Sequence, residues 1–351
     1  MKAVRWHGAG KPLLVEDVPV PEPGPGEVQV RVAACGICAS DLHMFDGSLP
    51  TRGHPPITPG HEASGTVAAV GPGVVGWTEG DRVAIFPGKR CGRCSRCIDG
   101  GPVERCMFPL NMGIEFDGAW AEYVVTDQAA LVRLPATVPF DVGAILCDAV
   151  GTPFNAVLET GGLRPGERVA VFGIGGLGTH GVMLARLGGA SFIAAVDSSA
   201  AARERALRLG ADIAVDPAAG PPSVTIKDAT GGEGVDLSID FVGANAVLKQ
   251  AVASLAIDGR AVVVGVSGER IQLGPSALFA VMRNKLLSVM GYTKRHLETL
   301  VQLVSSGRLD VSGSVSVRLP IEDAAEGVSI LSEKRGDPVR VVLLSGDSSP
   351  A

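Results

Sequence analysis

From Glu167 onward, apolar and polar positions fall into alternating blocks. Val169–Phe172 and Phe192–Val196 are continuous apolar runs of strand length, separated by a glycine turn and a helical stretch that runs through Leu187. Ala200–Leu209 has helical periodicity with arginines on its wet face, and Val235–Val242, Asn245–Leu255 and Ala261–Val266 repeat the strand–helix–strand pattern. Apolar strands alternating with helices predict a parallel sheet covered on both faces. The first half reads differently. Nine of the 24 prolines fall in the first 60 residues, between short β-prone runs such as Val28–Val32 and Thr66–Val70. Prolines at that density exclude long helices and predict a β-rich domain with many turns. The texture changes around Thr137–Pro139, and 351 residues suit two domains.

Gly173-Ile174-Gly175-Gly176-Leu177-Gly178 follows the first of these strands and opens a helix. In such a turn the first glycine permits the tight bend and the second lets backbone N–H groups approach a pyrophosphate at the helix N-terminus. The third allows close helix–strand packing. Asp197 closes the next strand, 24 residues after Gly173, at the place of a ribose-binding carboxylate. A carboxylate there accepts hydrogen bonds from a 2′-hydroxyl and repels a 2′-phosphate, and serines follow it at 198 and 199. NAD is therefore expected over NADP.

Composition narrows the class. With 46% hydrophobic and 19% charged residues the chain has enough apolar mass for a core, which excludes a disordered protein. A net charge of −6 without basic runs argues against nucleic acid or an anionic membrane as partner. The N-terminus lacks the apolar segment of a secretory signal, and apolar runs such as Ala261–Val264 are far shorter than a membrane span. A cytoplasmic chain with no membrane partner is expected, its tail after Leu344 frayed.

All seven cysteines lie before residue 150. In a large chain of this kind, clustered thiols indicate metal before disulfides. Cys91, Cys94, Cys97 and Cys106 stand within sixteen residues, and four thiolates can close a tetrahedral shell around a structural Zn²⁺. Three other segments carry metal-capable groups: Cys35 to His43, Gly60-His61-Glu62 and Cys147-Asp148. A catalytic zinc needs three protein ligands and one open position.

The sequence resembles the medium-chain zinc-dependent dehydrogenase/reductase family, to which the alcohol dehydrogenases belong, from Met1 to about Leu344. The resemblance rests on G-I-C-A-S-D-L-H (36–43), P-G-H-E (59–62), G-D-R-V (80–83), C-G-R-C-S-R-C (91–97), G-A-W-A-E-Y (118–123) and G-I-G-G-L-G (173–178). It implies an α/β fold: a β-rich GroES-like catalytic domain at 1–150, to which 287–351 returns, and a Rossmann NAD-binding domain with a doubly wound parallel sheet at 151–286. Cys38 and His61 are then catalytic zinc ligands, Asp41 orients the histidine, and Glu62 matches an inner-sphere glutamate that approaches the metal during ligand exchange. Cys35 falls on a position without a ligand role. The third ligand is Asp148 when D-A-V-G-T-P-F-N-A-V (148–157) is aligned with Cys147 at the preceding apolar position, with Cys147 itself as the alternative. Ser40 and His43 match a proton relay, and Arg340 an arginine that contacts the cofactor pyrophosphate. Asp240–Gly243 and Val264–Val266 resemble strand ends flanking the nicotinamide half.

Two positions depart from the family pattern. The last cysteine spacing is one residue longer than usual, a difference expected to be absorbed at Gly100-Gly101-Pro102, and Ala39 replaces a basic residue found in some members. The resemblance implies a zinc-dependent, NAD-linked alcohol dehydrogenase with one catalytic and one structural zinc per chain and a small-molecule alcohol or carbonyl substrate. The chain is expected to be a homo-oligomer, a tetramer before a dimer. The alternatives are a polyol, sugar, threonine or formaldehyde dehydrogenase of the same family, or a zinc-free quinone or enoyl reductase of the same fold, which would have no use for Cys38, His61 and the four-cysteine lobe. Phe45, Leu49, Trp120 and Phe154 are candidate pocket residues, an apolar set that favours aliphatic, aromatic or secondary alcohols over sugars.

Overall fold

A computed structural model describes residues 1–49, 51–101 and 103–346. The expected adjustment at Pro102 and nearly all of the expected frayed tail lie outside the described residues. The chain divides into two compact units, Met1–Ala149 with Thr293–Ala351, and Val150–Tyr292.

The first unit is built on a mixed seven-stranded sheet. Its strands are β1 (Glu27–Ile37), β2 (Glu62–Val70), β3 (Arg82–Ile85), β4 (Tyr123–Asp127), β5 (Leu131–Arg133), β12 (Val315–Pro320) and β13 (Arg340–Leu344). The order is β12-β13-β1-β2-β3-β5, with β4 also paired to β1. All neighbours run antiparallel except β12 and β13. Alternate residues of β1, Val28, Val30 and Val32, are buried against Val67, Val83, Val124 and Trp120, so the strand is pinned by its apolar face. A short helix, α1 (Ala39–Asp46), starts where β1 ends and closes on Gly47 in the left-handed conformation.

The second unit holds a six-stranded sheet, all parallel. Its strands are β6 (Arg168–Phe172), β7 (Phe192–Val196), β8 (Ile213–Val215), β9 (Val235–Asp240), β10 (Leu255–Val263) and β11 (Lys285–Ser288). They lie in the order β8-β7-β6-β9-β10-β11. That is a doubly wound sheet whose winding reverses between β6 and β9, the place where such sheets bind nucleotides. Helices α2 (Gly176–Leu187), α3 (Ala200–Arg208), α4 (Pro222–Ala229) and α5 (Asn245–Ala253) connect the strands.

One element boundary differs from the sequence pattern. The strand expected at Ala261–Val266 begins at Leu255, because Asp258 takes a positive φ of 64° and carries the strand through what reads as a turn. The arginines of α3 are not simply on a wet face: Arg205 folds back onto the glycine turn at Ile174, and Arg203 onto the carbonyls of Asp197 and Ser198. Among the described residues one helix, Phe140–Glu159, is long and apolar enough to cross a membrane by length and composition, contrary to the expectation that every apolar run is too short. Some 78% of that stretch is buried inside the protein, as in a core helix.

Candidate metal centres and nucleotide site

Cys38 caps the N-terminus of α1, and its backbone N–H donates to Asp41 Oδ2 at 2.9 Å. Asp41 is fully buried, and its other oxygen faces His61 Nδ1 at 3.5 Å. Neither of those two atoms has a hydrogen-bond partner elsewhere among the described residues. The charge of the carboxylate favours a proton on Nδ1, and Nε2 faces the other way, toward Asp148 Oδ2 at 3.8 Å. Asp148 Oδ2 is also 3.2 Å from Cys38 Sγ. The donor atoms of Cys38, His61, Glu62 and Asp148 all lie within 4.8 Å of one another. One sulfur, one imidazole nitrogen and carboxylate oxygens form a donor set that suits zinc.

The alternative third ligand, Cys147, lies elsewhere. Its thiol points at the carbonyls of Ala63 and Gly143, each 3.4 Å away, and burial pushes it up beyond the range of an ordinary thiol. Asp148 sits in a π-helical turn, Leu146–Val150, a local widening found often at functional sites. Cys35 is buried outside the cluster.

Burial opposes a charged His61, but Asp41, Asp148 and Cys38 outweigh it and raise the imidazole well above its ordinary value. Burial pushes Glu62 up to about 7 against the pull of Arg340. Arg340 comes from the last strand of the first unit. It is 2% exposed, and its guanidinium pairs with Glu62 Oε1 at 3.0 Å and lies 4.0 Å from both Asp148 Oδ2 and Cys38 Sγ. The register of the last strand delivers Arg340, the residue matched above to a pyrophosphate contact, to a buried ion pair beside the metal cluster. Ser40 Oγ lies 3.4 Å from Cys38 Sγ. His43, half exposed, pairs through Nδ1 with Ser48 Oγ at 2.9 Å.

The four remaining cysteines converge. Their closest sulfur–sulfur distances are 3.5 Å (Cys94–Cys97 and Cys97–Cys106), 3.9 Å (Cys91–Cys97) and 4.0 Å (Cys94–Cys106). Sulfurs bound about 2.3 Å from a tetrahedral zinc stand about 3.8 Å apart, so the lobe fits the ion. The Met107 backbone amide, against opposing burial, draws Cys94 down to about 6, toward the thiolate a cation requires.

In the second unit Gly173 has a φ of +83°, which glycine adopts without strain. A Cβ on Gly178 would fall 1.7 Å from the Gly173 carbonyl oxygen, so the helix can approach the strand only with glycine there. A Cβ on Gly175 would meet nothing within 4 Å, leaving the space over the turn open to a ligand. Gly176 and Leu177 begin α2, their backbone at the helix N-terminus. Asp197 ends its strand beside the turn, its carboxylate accepting from Ile174 N at 2.6 Å and Ser199 N at 2.8 Å. Asp240 Oδ1 accepts from the backbone of Val242 and Gly243, holding that strand end. Sequence reasoning missed two arginines here. Arg205 donates to Ile174 O and Thr179 Oγ1, and Arg203 to Asp197 O, bracing the turn from α3. Their spacing on an exposed-looking helix gives no sign of it.

Two expected pocket residues belong to the core of the first unit. Trp120 is fully buried with Nε1 donating to Gly36 O at 3.4 Å, and Phe45 stacks edge-on against it at 5.8 Å.

Comparison with known proteins identifies the family. Residues 24–136 match the alcohol dehydrogenase GroES-like domain, and residues 176–306 match the zinc-binding dehydrogenase domain. An alcohol dehydrogenase of Geobacillus stearothermophilus is 35% identical over 88% of this chain and 90% of its own. An L-threonine 3-dehydrogenase of Pyrococcus furiosus is 33% identical over 84% of each chain. The crystal structure of an NAD-dependent alcohol dehydrogenase superposes with a TM-score of 0.89 at 34% identity, covering 99% of this chain and 100% of that one.

Proposed function

The chain belongs to the medium-chain zinc-dependent alcohol dehydrogenase family, and from that premise we propose that it oxidises a small alcohol, and reduces the matching carbonyl, at a zinc held by Cys38, His61 and Asp148. It is an NAD-dependent, zinc-dependent oxidoreductase. The observation that carries the site assignment is the convergence of those three donors, with Asp41 buried behind the histidine.

Zinc there supplies Lewis acidity toward the substrate oxygen, and the nicotinamide supplies or takes up the hydride. The chain's own groups do the rest. Asp41 fixes the tautomer of His61, so that its Nε2 lone pair faces the metal position. Ser40 stands beside Cys38 at the inner end of α1 and His43 stands one turn on, where it meets solvent. Residues at i and i+3 share a helix face, so this pair can carry the alcohol proton from the buried cluster to water. At the nucleotide turn the backbone of Gly175–Gly178 receives the pyrophosphate. Asp197 accepts from the ribose and selects NAD. Cys91, Cys94, Cys97 and Cys106 hold the second, structural zinc.

A second reading, oxidation of the hydroxyl of an amino acid, is supported by the likeness to the L-threonine 3-dehydrogenase. We also infer a cytoplasmic homo-oligomer, a tetramer before a dimer. Self-association is supported by the sheet edge at β11, which pairs only with β10 among the described strands. Ile271, Leu278 and Val281 before that strand and Met290 after it are 57–87% exposed. NADH absorbance over a panel of primary alcohols, secondary alcohols, polyols and L-threonine, with zinc counted per chain, tests the function. Turnover of none of them by protein carrying two zincs would overturn it, and sedimentation tests the assembly.

A further inference from the structure

Two successive peptide groups of the glycine turn are each pinned by side chains from beyond it. The Ser199 hydroxyl accepts from Ala202 N and so starts α3 just after Asp197. Fewer than two helical turns later Arg205, half-buried, folds back over the glycine turn. Its Nη2 donates to Ile174 O at 2.7 Å and its Nε to Thr179 Oγ1 at 3.2 Å. The buried Thr179 hydroxyl donates in turn to the same carbonyl at 3.3 Å. On the preceding peptide, Ile174 N donates to Asp197 Oδ2 at 2.6 Å. One peptide is therefore anchored to the end of β7 and the next to α3.

A trans peptide is planar, so its C=O and N–H point in opposite directions. The bond between Ile174 and Gly175 is trans. Drawing its carbonyl inward to Arg205 and Thr179 therefore turns the Gly175 N–H outward. No acceptor for that N–H lies among the described residues, and a Cβ on Gly175 would meet nothing within 4 Å. The bond from a charged donor also polarises the peptide and strengthens the dipole at its N–H. We propose that Arg205 is a positioning residue for the cofactor: with Thr179 it fixes the Ile174 carbonyl and so aims the Gly175 N–H at the pyrophosphate. The inference rests on the reading that the Gly173–Gly178 turn receives the pyrophosphate of NAD. Arg205 then sets affinity for the pyrophosphate and leaves recognition of the adenosine to other groups, Asp197 among them.

The test uses the full-length, zinc-loaded protein and measures binding in place of turnover. Calorimetry gives the Kd of NADH, ADP and adenosine for wild type, Arg205→Met, Arg205→Lys and Thr179→Val, and circular dichroism verifies the fold of each. Arg205→Met is expected to weaken NADH and ADP roughly tenfold, the loss of one charge-assisted hydrogen bond. Adenosine, which has no pyrophosphate, should stay within about twofold of wild type. Arg205→Lys keeps the charge and one donor and should fall between wild type and Arg205→Met. Thr179→Val should weaken the same two ligands by a smaller factor. Equal weakening of all three ligands would mean that Arg205 only holds the unit together, and unchanged ADP binding in Arg205→Met would mean that the turn needs no aiming. Either result overturns the proposal. Wild-type protein that binds neither NADH nor ADP would instead overturn the nucleotide reading itself. Should Arg205→Met fail to fold, Arg205→Lys and Thr179→Val decide: weaker NADH and ADP with adenosine spared supports the proposal, and any other pattern overturns it.

Discussion

Asp148 Oδ2 lies 3.2 Å from Cys38 Sγ, while Cys147, one residue earlier, sends its thiol to the Ala63 and Gly143 carbonyls on the other side of the helix. Successive residues of a helical turn point in different directions, and in this one Asp148 faces Cys38 while Cys147 faces the two carbonyls. Of the two, Asp148 stands in the donor cluster with Cys38 and His61, which supports the proposed oxygen ligand at the third position.

Substitution of Asp148 by alanine is therefore expected to remove one of two zincs per chain and to abolish NAD-coupled activity. Cys147→Ala keeps both zincs and costs only stability, about 1 kcal/mol for a small buried side chain. Elemental analysis of the two purified variants checks this. Loss of zinc in Cys147→Ala with retention in Asp148→Ala would reverse the assignment.

Asp41 faces His61 without contacting the metal position, so Asp41→Asn tests orientation separately from ligation. The amide can still accept from Cys38 N and preserve the helix cap, but it lacks the charge that fixes Nδ1–H. Zinc affinity is expected to fall about 10–100-fold with the fold intact. Competition against a chelator of known affinity measures the fall, and circular dichroism verifies the fold.

Much of the nucleotide unit is legible in the sequence because its strands are buried on both faces and read as apolar blocks. The four-cysteine lobe is legible because its ligands are near neighbours in the chain. What stays hidden is whatever depends on strand register. Nothing near Arg340 signals that it meets Glu62. That contact exists because β13 and β2 flank β1 at a particular alignment. Trp120 reads equally well as pocket or core, and its neighbours across the sheet decide it. The early start of β10 is hidden for a local reason: Ile257-Asp258-Gly259 has the composition of a turn. Asp258, bonded to Arg283 Nε at 2.7 Å, sits in the strand with a positive φ.

The four thiols of Cys91, Cys94, Cys97 and Cys106 stand close enough to close a shell that the polar lobe around them cannot replace by burial. Cys97→Ser is expected to lower zinc by one per chain and to make the segment around residues 91–106 the first site of proteolytic nicking. Mass spectrometry of a limited digest locates the cut. A digest identical to wild type would show that the lobe holds its shape without the metal.

Asp197, the proposed ribose-binding residue, has a carboxylate oriented by Ile174 N and Ser199 N. A hydrogen bond to a charged group contributes about 1.5–3 kcal/mol, so Asp197→Ala should raise KM for NAD by roughly 10–100-fold. The same change removes the repulsion of a 2′-phosphate, and kcat/KM with NADP should rise as that with NAD falls. Steady-state kinetics with both cofactors give the ratio, and a fall with both cofactors alike would mean that Asp197 only braces the turn.

Arg260 joins Glu167 through two nitrogens, at 3.0 and 2.6 Å, while also donating to the Gly162 and Asp236 carbonyls. Burial alone would raise the Glu167 carboxyl, but the bonds from Arg260 and the Arg164 backbone outweigh it and hold the group below its ordinary value. A carboxyl lowered in the folded state binds fewer protons than in the unfolded chain. Its stabilisation is therefore complete above the unfolded value of about 4.3 and is lost as pH falls through the lower folded value. Glu167→Gln should accordingly lower stability at pH 7 by about 1–2 kcal/mol, since the pair is ordered and only partly exposed. In a chain of this size that is a few degrees in Tm at most. The difference from wild type should shrink steadily as pH drops from about 5 to 3, because the wild-type carboxyl then carries the proton whose absence made the bond. Thermal unfolding of both proteins across that range measures it, and a difference that stayed constant with pH would assign the loss to packing around Arg260 and not to the charge on Glu167.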